Sequence, residues 1–158
     1  MAEWCENELM VSGPEADVNR FLTAAKSERA ILDFERIVPP PAEYPAADGK
    51  AKSSEDWYGW RMEHWGTKWN TDIPAIEELD PDDECLDAER AVLLVFGTAW
   101  TPPVPVVVAA SAQFPELAFR LAYWQPFCDL HGFAEVEGGE VVEQNDATFL
   151  GHRKTRNP

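Results

Sequence analysis

Long apolar runs, basic side chains and cysteine are what this sequence has least of. No stretch of about eighteen apolar residues occurs, so no membrane-spanning helix is expected. The start, Met1-Ala2-Glu3-Trp4-Cys5, lacks the basic end and apolar run of a signal peptide, and a cytoplasmic location is the expectation. Cysteines are three, Cys5, Cys85 and Cys128, odd in number and far apart, which argues against a disulfide framework and fits reduced, packed thiols. Lys and Arg total 13 against 29 Asp and Glu, a net charge of -16. Nucleic acid and anionic membranes are repelled by such a chain, whereas a host protein with a basic surface suits it. Cys128 with His131 is the sole close pair of soft metal ligands, so no metal site and no cofactor is expected. Asp80, Asp82, Asp83 and Glu84 are spaced somewhat like a calcium loop but lack its glycine and its terminal glutamate. Phosphate-loop and dinucleotide fingerprints are absent as well.

Two features stand out against these deficits. The first is a tryptophan cluster: Trp57, Trp60, Trp65 and Trp69 put four of the seven tryptophans within thirteen residues, around His64 and Lys68. Rings that large are either packed at the edge of a core or kept for binding. The second is an acidic run without Lys or Arg: Asp72, Glu77, Glu78, Asp80, Asp82, Asp83, Glu84, Asp87 and Glu89. It reads as a solvated face or as a surface that imitates phosphate spacing and occupies a basic groove.

Periodicity then gives an order of elements. A strand is expected from Trp4 to Val11, its alternation imperfect, followed by a helix that starts at Ser12-Gly13-Pro14-Glu15, with Ser12 as cap and Glu15 as its box partner. Val18, Phe21, Leu22 and Ala25 form the inner face of that helix. Ile31 to Val38 alternates in its second half and reads as a strand ending at Pro39-Pro40-Pro41. A loop from Pro39 to Ser54 leads to a short helix through the tryptophans, stopped at Gly66, then a strand from Thr67 to Thr71. Pro74 and Pro81 make the acidic run a loop, and Ala91 to Trp100 is the strongest strand, expected to be buried on both faces. Thr101-Pro102-Pro103 starts a second helix with Val106, Val107, Ala110 and Phe114 inside, closed by Pro115. Leu117, Phe119, Leu121 and Tyr123 mark a half-buried strand, and Phe133 to Val142 a hairpin around Gly138-Gly139. Phe149-Leu150-Gly151 reads as a last edge strand or tail, and residues 152–158 as a basic tail.

Two strand-helix-strand units with a long insertion spell an α+β, ferredoxin-like fold: an antiparallel sheet with two helices on one face. Residues 1–151 form one such domain, with the insertion at 39–89, between the two halves, carrying the Trp-rich and acidic parts.

Trp4-Cys5, Ser12-Gly13-Pro14, His64-Trp65-Gly66-Thr67-Lys68-Trp69-Asn70, Phe96-Gly97-Thr98-Ala99-Trp100-Thr101-Pro102-Pro103 and Gln113-Phe114-Pro115-Glu116-Leu117 together resemble the YubB ferredoxin-like family over roughly residues 1 to 140. That resemblance implies a ferredoxin-like fold and a setting in plasmids, phages and genomic islands; it implies no catalytic residues. The acidic run and the Pro39 to Ser54 loop depart from it. The functional expectation is a non-enzymatic, acidic protein-protein interaction module of a mobile genetic element, an inhibitor of a host nucleic-acid-handling or defence system acting as a partial DNA mimic in the manner of an anti-CRISPR protein. The rival is a small-ligand-binding domain or enzyme whose pocket is built from Trp57, Trp60, His64, Trp65, Lys68, Trp69 and Trp100.

Overall fold

A computed structural model describes residues 3–41, 54–128 and 130–148. Strand β1 (Trp4–Gly13) leads into helix α1 (Glu15–Ala25), a short helix α2 (Phe34–Ile37) and the tryptophan-bearing helix α3 (Ser54–His64). Then come β2 (Asp72–Leu79), β3 (Arg90–Ala99), helix α4 (Val104–Gln113), β4 (Ala118–Gln125), β5 (Leu130–Glu137) and β6 (Glu140–Thr148). The six strands form one sheet in the order β2-β3-β1-β4-β5-β6, every neighbouring pair antiparallel. Strands β1 to β4 with α1 and α4 reproduce the ferredoxin-like arrangement, and the β5-β6 hairpin, turning at Gly138-Gly139, widens the sheet on one side.

One face carries the core. Cys5, Leu9 and Val11 of β1, Val92, Leu94 and Phe96 of β3, and Phe119, Leu121 and Tyr123 of β4 are buried beneath Val18, Phe21 and Ala25 of α1 and Val106, Val107 and Ala110 of α4. Edge-to-face contacts of Phe21 with Phe114 and Phe119 lock the α1 side of this layer. Among the described residues the helices all lie on this face, so the opposite face of the sheet is left open.

Several expectations change. The acidic run is not all loop: its first part is β2, an edge strand in which Pro74 sits at an irregularity between Asp72 and Ala75 and so removes no ladder bond that matters. Consequently the long insertion lies inside the first half, between α1 and β2, rather than between the halves. Ile31 to Val38 is not a strand. Asp33 accepts a hydrogen bond from the Glu35 backbone N–H and starts the four-residue α2 instead. Thr67 to Thr71 is also not a strand, because its polar groups bond elsewhere: Thr67 Oγ1 donates to Ala99 O and Thr71 Oγ1 to Leu32 O. Ser12 belongs to β1 and caps nothing; Pro14 is the N-cap residue of α1 and supplies no side-chain cap. Strand β3 is buried on the helix side only, with Val95 39% exposed on the other. Residues 149–158, which include the expected last strand and basic tail, lie outside the described residues, as do residues 42–53 of the loop.

Candidate interaction surface

The tryptophan cluster is built around a cation. Arg61 projects from α3 so that its guanidinium carbon lies 4.6 Å from the Trp57 ring, 5.1 Å from Trp65 and 5.5 Å from Trp69. It also donates to Lys68 O at 3.1 Å and is 5% exposed. Burial lowers its pKa, partly offset by the charge of Glu35. Trp65 is fully buried; its indole N–H donates to Val38 O at 2.9 Å and its ring meets Phe34 edge-on. His64 stacks on Trp60, with Nδ1 2.9 Å from Trp60 O. Lys68 Nζ lies 5.1 Å from Trp69 and 5.6 Å from Tyr58, leaving Trp69 40% exposed as the outer member. The space a ligand would need between Trp57, Trp65 and Trp69 is therefore filled by the chain's own guanidinium, and the cluster acts as a satellite core that anchors the insertion.

Beyond the cluster, Trp65-Gly66-Thr67 clasps the end of β3. Helix α3 stops as Trp65 N and Gly66 N both bond Arg61 O, and Gly66 takes a φ of +79°. Thr101 Oγ1 donates to Gly66 O, Thr98 Oγ1 to Thr101 O, and buried Asn7 donates to Thr98 Oγ1 at 2.9 Å. Trp100, 37% exposed, follows with φ +65° and meets Phe127 edge-on. A second tie runs through Asp33, which accepts from Ser27 at 2.6 Å and from Asn70 at 2.7 Å, with Arg29 at 3.7 Å. Burial raises the Asp33 pKa, but these donors together outweigh it, so the carboxyl is held below its ordinary value. Glu35 next to it is pushed upward, by burial first and then by Asp33.

The acidic residues divide among several places. Glu78 is bound by Arg90 at 2.9 and 3.0 Å, which lowers its pKa, and Glu89 accepts from the Glu15 backbone N–H at 3.0 Å. Asp80, Asp82, Asp83 and Glu84 occupy the turn at the tip of the β2-β3 connection, where Asp80 accepts from Asp82 N. Asp87 and Glu89 border a groove of about 470 Å³ with Glu116 and Glu137. Register places Glu77 opposite Leu93 and Asp72 opposite Gly97, on the open face of the sheet.

That open face holds a larger groove, about 570 Å³. Its floor is Gly97 and Val95 of β3, Glu6 and Glu8 of β1, and Trp124 and Ala122 of β4, in register across three strands. Trp4, 43% exposed, and Asp72 with Ile73 form the rim. Ile73 is 84% exposed and has φ +45°, a left-handed conformation that a β-branched residue rarely adopts. Glu6, Glu8, Ile73, Val95 and Trp124 are not among the site residues expected from the sequence, and Trp4 enters there only through the family resemblance. The signal lay in β1, where Trp4, Glu6 and Glu8 alternate with Cys5, Asn7 and Leu9; the buried Asn7 disguised a regular alternation as an imperfect one.

With this geometry in hand, comparison with known proteins is informative. The family model for the ferredoxin-like domain in Api92-like protein matches residues 65–148, more than half of the chain. The chain belongs to this Api92-like family. The crystal structure of a protein api92 from Yersinia pseudotuberculosis is similar over 93% of this chain and 98% of that one, with a TM-score of 0.67 and 11% sequence identity. At that identity the likeness is one of fold. Among curated proteins none matches significantly. The expected ferredoxin-like fold thus holds, while the family the comparisons support is the Api92-like one and not the YubB family by name. The Api92-like match begins at Trp65, so it takes in the Trp65-Gly66-Thr67 clasp and β2 to β6 but excludes β1, α1 and α3. Among the described residues no helix is long and apolar enough to cross a membrane.

Proposed function

We propose that this Api92-like chain is a non-enzymatic interaction module that binds a host protein with a basic surface. The observation that carries the reading is charge placement: carboxylates are exposed on the edge strand β2, at the tip of Asp80 to Glu84 and on the open sheet face, on a chain of net charge -16. A surface of that sign steers basic partners and repels phosphates. In its fuller form the reading is an inhibitor of a host nucleic-acid-handling or defence system, an anti-CRISPR-like partial DNA mimic acting in the cytoplasm. The mobile-element setting in that form comes from the resemblance to the YubB family. The pocket-enzyme alternative loses support because Arg61 fills the tryptophan cluster and His64 is engaged with Trp60.

The test is capture of a partner from host lysate followed by binding of the purified pair. Affinity is expected to fall steeply between about 50 mM and about 500 mM salt, as screening shortens the Debye length below about 5 Å. Charge reversal across Asp72, Glu77, Asp80, Asp82, Asp83 and Glu84 should abolish it. A complex that survives both treatments refutes the electrostatic account.

A further inference from the structure

The open face of the sheet combines three properties that are rarely found together by accident. It is acidic along its middle strand, through Glu6 and Glu8, with Asp72 at the rim; it is apolar on both flanks, through Val95 on β3 and Ala122 and Trp124 on β4; and its groove is lined by no Lys or Arg. Trp4 and Trp124 would by themselves offer a stacking platform for nucleic-acid bases on an antiparallel sheet. The three carboxylates decide against that, since a strand stacked there would bring its phosphates beside them. Arg120, the cation nearest in register, is engaged with the Phe133 ring at 4.5 Å and with Glu135 at 3.4 Å, at the groove's far side.

We infer that this groove is the docking site for a basic amphipathic helix of the partner protein lying along β1, its Lys or Arg residues over Glu6 and Glu8 and its apolar side chains to either side, on Val95 and on Ala122 and Trp124. The dimensions agree. Three strands span two spacings of about 4.8 Å, close to the roughly 10 Å diameter of a helix, and residues on one face of a strand repeat about every 6.8 Å. Glu6 and Glu8 therefore offer two carboxylates at a separation that Lys residues one turn apart can meet. Ile73 supplies an apolar prong beside Asp72, turned outward by the left-handed backbone it takes in the irregularity between Asp72 and Ala75. The inference rests on the reading of the chain as an acidic interaction module, and it moves the working contact from the Asp80 to Glu84 tip to the sheet face.

The experiment uses the full chain and a fluorescein-labelled helical peptide of about eighteen residues, with a Lys stripe at i, i+3, i+4 and i+7 flanked on both sides by Leu, alongside a twin with Glu for Lys. In anisotropy titrations at about 150 mM salt the Lys peptide is expected to bind and the Glu twin not. The Glu6→Gln/Glu8→Gln double variant, conservative at exposed sites, should weaken binding at least about tenfold. Ile73→Gly should weaken it about three- to tenfold while leaving the melting temperature unchanged or raised, which separates docking from folding. Asp82→Asn/Asp83→Asn should stay within about twofold. Parent-like binding by the groove variants, or equal binding of the two peptides, overturns the inference. If the tip variant loses affinity and the groove variants do not, the acidic-module reading stands and only the groove assignment fails. Removal of residues 149–158 should leave affinity within about twofold; a rise above about tenfold would make the chain's own basic tail the occupant. Sedimentation showing self-association that the groove variants abolish would make it a second copy, and either result overturns the inference.

Discussion

Two glycines seven residues apart are expected to respond to the same substitution with opposite signs. Gly59 lies inside α3, where an added Cβ meets nothing within 4 Å. Gly59→Ala should therefore stabilise the protein by about 0.5–1 kcal/mol, the helix-interior difference between the two residues. Gly66 is at the helix stop with φ +79°, and its Cβ would lie 2.5 Å from Pro105 Cδ and 3.1 Å from Pro102 O. The left-handed backbone costs an L-residue about 1–2 kcal/mol. Neither obstructing atom can swing away, since one is a ring carbon in the first turn of α4 and the other is backbone, so overpacking adds about 1–3 kcal/mol. The lower entropy of the unfolded alanine chain returns about 0.4–1 kcal/mol. The net expectation for Gly66→Ala is a loss of about 2–4 kcal/mol. Urea unfolding followed by tryptophan fluorescence measures both, with equal m-values confirming that midpoints report stability. A Gly66→Ala loss below about 0.5 kcal/mol, or the same sign for both variants, would refute the assignment of Gly66 as a steric keystone between α3 and α4.

Other expectations follow from the same framework. Arg61→Met keeps length but removes the cation between Trp57, Trp65 and Trp69 and the donor to Lys68 O; a loss of about 1–3 kcal/mol is expected in the same unfolding assay. Asp33→Asn should cost about 1.5–3 kcal/mol at neutral pH, because an amide cannot accept from Ser27 and Asn70 together and loses Arg29. The Asp33 carboxyl titrates lower when folded than its ordinary 3.8, so its contribution is present above that value and is lost as pH falls through the folded pKa; the Asp33→Asn variant should show a flatter stability profile below about pH 4. Burial pushes the Cys5 thiol up to about 12, whereas Cys85 is exposed, so iodoacetamide at pH 8 should modify Cys85 and spare Cys5 in peptide mapping of the native protein.

Where one face of an element was apolar at a regular period, sequence and structure agree. The inner faces of α1 and α4 contain Val18, Phe21, Ala25, Val106, Val107 and Ala110, and β4 alternates through Phe119, Leu121 and Tyr123, as spacing suggested. Gly66 stops α3 as a glycine should. Disagreement arises where tertiary contacts override local pattern. Ile31 to Val38 has the hydrophobicity of a strand, yet Asp33 is more useful as an acceptor joining Ser27, Asn70 and Glu35 than as a ladder residue. Conversely, β2 has the composition of a loop, and its carboxylates are tolerated in a strand because it is an edge with one neighbour. Once β2 is placed there, the position of the insertion changes with it. The open face escaped notice for a related reason: a run such as Ala91 to Ala99 looks buried on both sides by composition, and only the one-sided placement of the helices uncovers Val95.

The distinction between what the Trp65-Gly66-Thr67 clasp does and what the groove does sharpens where function should be sought. Trp65 is buried and bonded to Val38, and Gly66, Thr67, Thr98 and Thr101 are held by hydrogen bonds at the end of β3, so altering them is expected to change stability before it changes binding. The Api92-like match spans the strands that supply Asp72, Ile73, Val95, Ala122 and Trp124, but it leaves out β1 and with it Glu6 and Glu8. An interaction that rested on the apolar flanks alone would be indifferent to the partner's charge. One that depends on the two β1 carboxylates selects a basic partner. The Glu6→Gln/Glu8→Gln variant therefore tests more than a pair of contacts: it separates what the fold supplies, an apolar open face, from what selects the sign of the partner.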